Sequence, residues 1–165
     1  MRCFLITLML IGIASSAFAM SNLPLPAAIN DLMGKQSPEF TLETIFGKTQ
    51  SLTQARAGKK TMLFFWATWC PHCQEELETV KQQIGIIKAK GIQIVLVDVG
   101  ENKEDAKSFL ERQQIALDSF IDEDNTVAGR YSVVGIPTVF LIDEQGILRA
   151  VEHGFPTDYD SRFDS

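Results

Sequence analysis

The chain has 165 residues, 45% of them hydrophobic and 9% aromatic, with 15 basic against 21 acidic side chains and a net charge of −6 at pH 7. That length supports one domain with a substantial core and is short for two. The acidic balance, with no basic cluster and no interleaving of aromatic and basic residues, argues against nucleic acid as a partner and reads as a solvated surface.

In chain order, the first feature is a targeting pattern. Arg2 gives a short positive region, Phe4 to Ile13 an apolar stretch, and Ala17-Phe18-Ala19 a small-x-small cleavage signature. The apolar stretch falls short of the roughly 20 residues that cross a bilayer, so residues 1–19 read as a cleavable signal peptide rather than an anchor. Cleavage after Ala19 would remove Arg2 and Cys3, leaving 14 basic against 21 acidic residues, a net charge of −7, and two cysteines. No other segment could span a membrane.

Residues 20–36, with Pro24 and Pro26, read as a partly mobile lead-in to a domain over 37–165. Alternation from Phe40 to Ile45, a Gly47-Lys48 turn and Thr49 to Leu52 predict a β-hairpin. Strand pattern follows at Thr61 to Ala67, Ile92 to Val99 and Thr138 to Ile142. Between the first two lies a helix from Pro71 to Lys90, with Leu77, Val80, Ile84 and Ile87 on one stripe and Gly91 as its stop. A strand, helix and strand with continuous apolar runs imply a right-handed crossover and a parallel pair. Asn102 to Gln114 reads as a second helix burying Ala106, Phe109 and Leu110, followed by a short strand at Ser119 to Ile121 and a helical turn at Thr126 to Tyr131. Glu144-Gln145-Gly146 turns the chain into a last strand, Ile147 to Glu152, antiparallel to the one before it. The sheet is therefore mixed. Phe155, Tyr159 and Phe163 fall at four-residue spacing behind Thr157, a candidate cap, so a short final helix is expected that leaves part of one sheet face uncovered.

The chemistry concentrates at Trp69-Cys70-Pro71-His72-Cys73, where an apolar strand gives way to a helix. A helix amino terminus presents unpaired N–H groups and the positive end of its dipole, which stabilise a thiolate, the attacking species in disulfide exchange. Pro71 suits the first helical position. Without a second cysteine pair, a four-thiolate zinc site cannot be built in one chain. A structural disulfide closing so short a loop would constrain the unfolded chain little. Redox chemistry is left. Cys73 lies four residues before Leu77 on the core stripe and Cys70 precedes the helix, so the two sulfurs differ in exposure.

The element order, Phe65 to Cys73 and Gly135-Ile136-Pro137-Thr138 together resemble the thioredoxin superfamily. Within it the chain is similar to the secreted or membrane-tethered thiol-disulfide oxidoreductases of the ResA/TlpA type. Val99-Gly100-Glu101 after a central strand, Tyr131-Ser132-Val133 before the proline, and the hairpin carry that likeness, which covers about Gly34 to Thr157. It implies an α/β three-layer sandwich, a mixed central sheet with helices on both faces. It also implies that Cys70 is the exposed attacking thiol, Cys73 the resolving thiol and Pro137 a cis proline facing them. Ile136 would offer its backbone to an extended substrate, and Glu76 would serve proton transfer.

Each supporting residue has a plainer reading. Pro137 could merely open a strand, Glu76 could complement the helix dipole as Glu75 and Glu78 would, and His72 could be an ordinary exposed side chain rather than a modulator of the thiolate. His153 has no partner at metal-ligand spacing and reads as a surface residue, while Trp66 and Trp69 read as core and site wall. Two features depart from the family. The position six residues before the first cysteine, where many thioredoxins carry a buried acid, is Phe64, so proton handling must lie elsewhere. The final helix is shortened.

The expectation is an extracytoplasmic, periplasmic exchanger of thiols and disulfides on protein clients, with no cofactor beyond its dithiol and no metal. An upstream membrane or periplasmic thiol partner would recharge it. The scaffold resembles reductases that keep cysteines of apocytochromes c and other exported proteins reduced, whereas Pro-His between the cysteines is the pair of strongly oxidising relatives. A Cu(I)-delivery module using Cys70 and Cys73 is the alternative from another class. A peroxidase is disfavoured, because the Thr-x-x-Cys context with Arg support is lacking.

Overall fold

In the computed structural model residues 27–163 are described. The signal peptide expected at 1–19, with Cys3, lies outside the described residues. Seven strands and six helices follow in the order α1 (Ala27–Asn30), β1 (Thr41–Glu43), β2 (Thr49–Ser51), α2 (Leu52–Arg56), β3 (Thr61–Trp66), α3 (Pro71–Ala89), β4 (Gln93–Val99), α4 (Lys103–Arg112), β5 (Ser119–Asp122), α5 (Thr126–Arg130), β6 (Thr138–Ile142), β7 (Leu148–Glu152) and α6 (Tyr159–Arg162). The fold is the mixed α/β arrangement expected. A five-stranded sheet runs β5-β4-β3-β6-β7, and β1 and β2 form a separate hairpin. The β3–β4 and β4–β5 pairs are parallel, whereas β3–β6 and β6–β7 are antiparallel.

Successive side chains of β3 point to opposite faces, which divides the core in two. Met62, Phe64 and Trp66 pack with Cys73, Leu77, Val80 and Ile87 of α3 and with Ala106, Phe109 and Leu110 of α4. Leu63 and Phe65 pack on the opposite side with Ile29, Leu52, Val127 and Tyr131. All six residues of β3 are buried, as a central strand covered on both faces requires. The hairpin docks on the β5 edge through the Thr44–Phe120 bridge and the Ile45 N–H donating to the Ser119 carbonyl at 2.9 Å, so that edge is covered.

Three expectations are corrected. The described part of the lead-in, residues 27–36, is built into the fold: Ile29 is fully buried, the Gly34 N–H donates to Leu148 O at 2.8 Å and the Leu148 N–H donates to Lys35 O at 2.9 Å. Its apolar residues and free backbone groups find the start of β7, and the prolines lie upstream of that contact. A second difference is α2, a helix of five residues where the hairpin was expected to run on to Leu52. Ser51 caps it and Gln54 returns a hydrogen bond to the Ser51 N–H, a reciprocal capping box readable as Ser-x-x-Gln. The third concerns the carboxyl end. Helix α6 is short, as expected, but Asp158 rather than Thr157 precedes it, and Phe155, Tyr159 and Phe163 are all buried against the α3 side of the sheet. Their three rings pack into the core on that side of the sheet.

Candidate active site

The site is made where β3 ends. Cys70 has extended backbone angles and caps α3, with its Sγ accepting a hydrogen bond from the Cys73 N–H at 3.1 Å. A sulfur at that place feels the unpaired amides and the positive end of a 19-residue helix. Cys70 and Cys73 are joined as a disulfide, with a Cα–Cα distance of 5.2 Å. Pro71 occupies the first helical position. Cys73 is fully buried. Cys70, expected to be exposed, is only 5% exposed, because the loop before β6 lies over it. The Cys70 Sγ is 3.7 Å from the Ile136 carbonyl oxygen, and the Ile136–Pro137 peptide bond is cis. The inequality between the sulfurs has the expected sense and is smaller than the sequence suggested.

Two depressions share Gly135 and Ile136 as a wall. A groove of about 710 Å³ is bordered by Trp69, Val99, Ala128, Val133 and Val134. Trp69 is 65% exposed and Val134 73% exposed, so large apolar surface stands open beside the dithiol. One side of it is set by α5, whose Val127 and Ala128 N–H groups donate to the buried Asp122 carboxylate at 3.0 and 2.8 Å. Trp69 borders this groove, and Trp66 is core.

The second, a recess of about 380 Å³, is lined by His72, Glu76, Pro137 and His153. Glu76 does not stand free: its Oε2 accepts from the Phe155 N–H at 3.0 Å, and Gly154 leaves room for it, since a Cβ there would meet Oε1 at 2.9 Å. His72 is exposed and its Nδ1 lies 3.3 Å from Glu75 Oε2. His153 is exposed, as expected of a surface residue, yet it faces this recess, with Nδ1 3.4 Å from Thr138 Oγ1. Thr138 Oγ1 also donates to Gly135 O at 2.7 Å.

The sequence reading missed an acid. Phe64 fills the place six residues before Cys70 and is buried among apolar groups. On the neighbouring strand Asp98, in register with Trp66, is fully buried. Burial, and next the nearby Glu101 carboxylate, push its carboxyl up to about 8. A charged residue closing the apolar run Ile94 to Val97 was the signal that could have found it. Glu101 in turn accepts from the Thr68 N–H and from Thr68 Oγ1, both at 2.5 Å, two residues before Cys70.

Among the described residues no group of three or more His, Cys, Asp or Glu side chains is placed to hold a metal ion. The arrangement can perform two-sulfur exchange: a helix-capped sulfur, a second sulfur one turn behind it, and a loop carbonyl and apolar groove beside them.

The family model described as AhpC/TSA matches residues 33–151. The thiol-disulfide oxidoreductase ResA of Geobacillus thermodenitrificans is 34% identical over 128 residues, which are 78% of this chain and 73% of that protein. ResA of Bacillus subtilis is 34% identical over 125 residues, 76% of this chain and 69% of its own length. Among solved structures, a putative thiol:disulfide interchange protein DsbE from Chlorobium tepidum superposes with a TM-score of 0.69 at 30% identity, covering 80% of this chain and 92% of that one. StoA from Bacillus subtilis superposes with a TM-score of 0.63 at 25% identity, covering 76% and 95%. The family match over residues 33–151 spans both cysteines and the cis-proline loop, and the chain belongs to the thioredoxin-like AhpC/TSA family, among its thiol-disulfide oxidoreductases.

Proposed function

We propose that the protein reduces disulfides of protein clients outside the cytoplasm, with Cys70 attacking and Cys73 resolving. The observation that carries this reading is the Cys70 sulfur itself, capping α3 and lying 3.7 Å from the Ile136 carbonyl at the edge of an apolar groove. In the reduced protein the Cys70 thiolate attacks one sulfur of the client disulfide. The client S–S bond breaks, a Cys70–client mixed disulfide forms, and the released client thiolate takes a proton. Cys73 then loses its proton and attacks Cys70, so the mixed disulfide breaks, the second client thiol departs and the Cys70–Cys73 disulfide remains. Two electrons have passed to the client, and an upstream dithiol at the membrane or in the periplasm returns them. Ile136 offers its backbone to an extended client segment, Trp69 and Pro137 flank it, and Pro71 and His72 tune the thiolate. A role in keeping apocytochrome c cysteines reduced fits this direction. The signal peptide read at 1–19 would deliver the chain, and among the described residues no helix is long and apolar enough to cross a membrane.

The test is a Cys73→Ser chain, which lacks the resolving thiol. It accumulates mixed disulfides through Cys70 with exported client proteins, and peptide mapping identifies both client and direction. Absence of any mixed disulfide, together with tight Cu(I) binding by the wild type, would replace exchange with copper delivery.

Glu76 has a narrower part in this reading. It lies three residues beyond Cys73 on α3, where i to i+3 geometry puts the two on neighbouring positions. Glu76→Gln is expected to slow release of the mixed disulfide several-fold while leaving the first attack nearly unchanged, measured by stopped-flow with a disulfide-bonded peptide. Equal effects on both steps would make Glu76 a partner of the Phe155 amide alone.

A further inference from the structure

Asp98 and Glu101 form an acid pair behind the active-site loop. Neither oxygen of the fully buried Asp98 makes a well-formed hydrogen bond, although Glu101 is near enough for both its backbone N–H and its carboxylate to act on it. The charges that act on Asp98 are anionic: Glu101 from the loop after β4 and Asp105 from α4. Its register neighbours on β3 and β5, Trp66 and Ile121, carry no charge. Two carboxylates at such a place cannot both ionise cheaply, and one proton between them turns repulsion into a hydrogen bond.

The other side of Glu101 grips the loop that delivers Cys70. Thr68 gives Glu101 both its N–H and its hydroxyl, while its carbonyl accepts from Gln74 Nε2 at 2.7 Å. Thr68 is therefore fixed at three atoms, and Cys70 follows it after one residue. We propose that Asp98 and Glu101 share one proton, and that this pair is a positioning device that holds Thr68, and through it Cys70, in the geometry for attack. Protonated Asp98 donates to the Glu101 carboxylate, which keeps both of its acceptor bonds to Thr68. Loss of the proton sets two buried negative charges against each other. Glu101 is the one with a route to solvent, so it swings away and releases Thr68. The proposal rests on Cys70 being the attacking thiol, and the experiment separates the two.

The reduced protein is reacted with a disulfide-bonded peptide from pH 6 to pH 9.5. Each rate is divided by the rate of iodoacetamide alkylation in the same buffer, which follows the thiolate and removes its own titration. With Asp98 titrating at about 8, the normalised rate of the wild type falls about tenfold by pH 9, when roughly a tenth of Asp98 stays neutral. Asp98→Asn keeps a donor toward Glu101 and cannot ionise, so its normalised rate stays level. Glu101→Gln removes the repelling charge and also gives a level profile. Asp98→Leu, with no donor, lowers the normalised rate across the whole range. A level wild-type profile, or an equal fall in Asp98→Asn, would overturn the proposal. Mapping of the alkylated cysteine to Cys73 rather than Cys70 would overturn the attacking role, and the positioning proposal with it.

Discussion

Replacing Cys70 by serine is expected to lower the rate constant for reaction with protein disulfides by at least about a thousandfold, the scale on which removal of an essential nucleophile acts. Serine fits the site: it caps helices well and can still accept from the Cys73 N–H. What it lacks is a proton weak enough to leave near neutral pH, and the attacking species is the anion. Cys73 cannot substitute, since it is fully buried and lies inside α3. Thermal unfolding of the reduced Cys70→Ser and wild-type proteins should agree closely, which separates loss of chemistry from loss of fold. Residual activity above a tenth of wild type would mean that Cys73 reaches clients directly and that the order of attack is reversed.

Trp66→Ala should produce the largest loss of stability of any single change near the site, about 3–5 kcal/mol. The indole is fully buried, packs 5.5 Å from the Phe109 ring, and donates from Nε1 to Ser119 Oγ at 3.1 Å. It therefore links β3 to α4 and, across β4, to β5. Its removal leaves a cavity beside Asp98, whose register partner it is. Urea unfolding of the reduced proteins would show the midpoint falling with little change in slope, and Trp66→Phe should lose less than half as much. A difference below about 1 kcal/mol would mean that Phe109 and its neighbours collapse into the space.

Much of this architecture was legible because its signals are local. The apolar run from Met62 to Trp66 read as a strand buried on both faces, and the Leu77, Val80, Ile84, Ile87 stripe with Gly91 beyond it marked α3 to within a residue of its observed end. The dithiol was readable from spacing and helix-end electrostatics alone. What escaped depended on long-range pairing. Residues 27–36 look like a linker until Leu148, more than a hundred residues away, supplies partners for their backbone groups. The burial of Cys70 could not be foreseen from its own neighbours, because the covering carbonyl belongs to Ile136. Asp98 was missed for a different reason: the place six residues before Cys70 lies on β3, while strand pairing places an acid one strand over, on β4. Helix α2 was readable from Ser51 and Gln54 and was obscured by its length of five residues.

The segment after the sheet touches α3 at both ends. Near the start of the helix the Phe155 N–H holds Glu76, and at its far end Lys90 pairs with Asp160 and lies over the Tyr159 ring. Those anchors are separated by most of a helix about 28 Å long. A rod pinned at two such distant points can neither slide along its axis nor pivot about its middle without releasing one of them. Any rearrangement that accompanies opening of the Cys70–Cys73 bond is therefore channelled into the chain around the sulfurs, from Thr68 to His72 and from Gly135 to Pro137. Residues 153–163 act as a brace for the reactive helix, and a protein shortened at Gly154 would keep its dithiol while losing the stiffness against which that dithiol works.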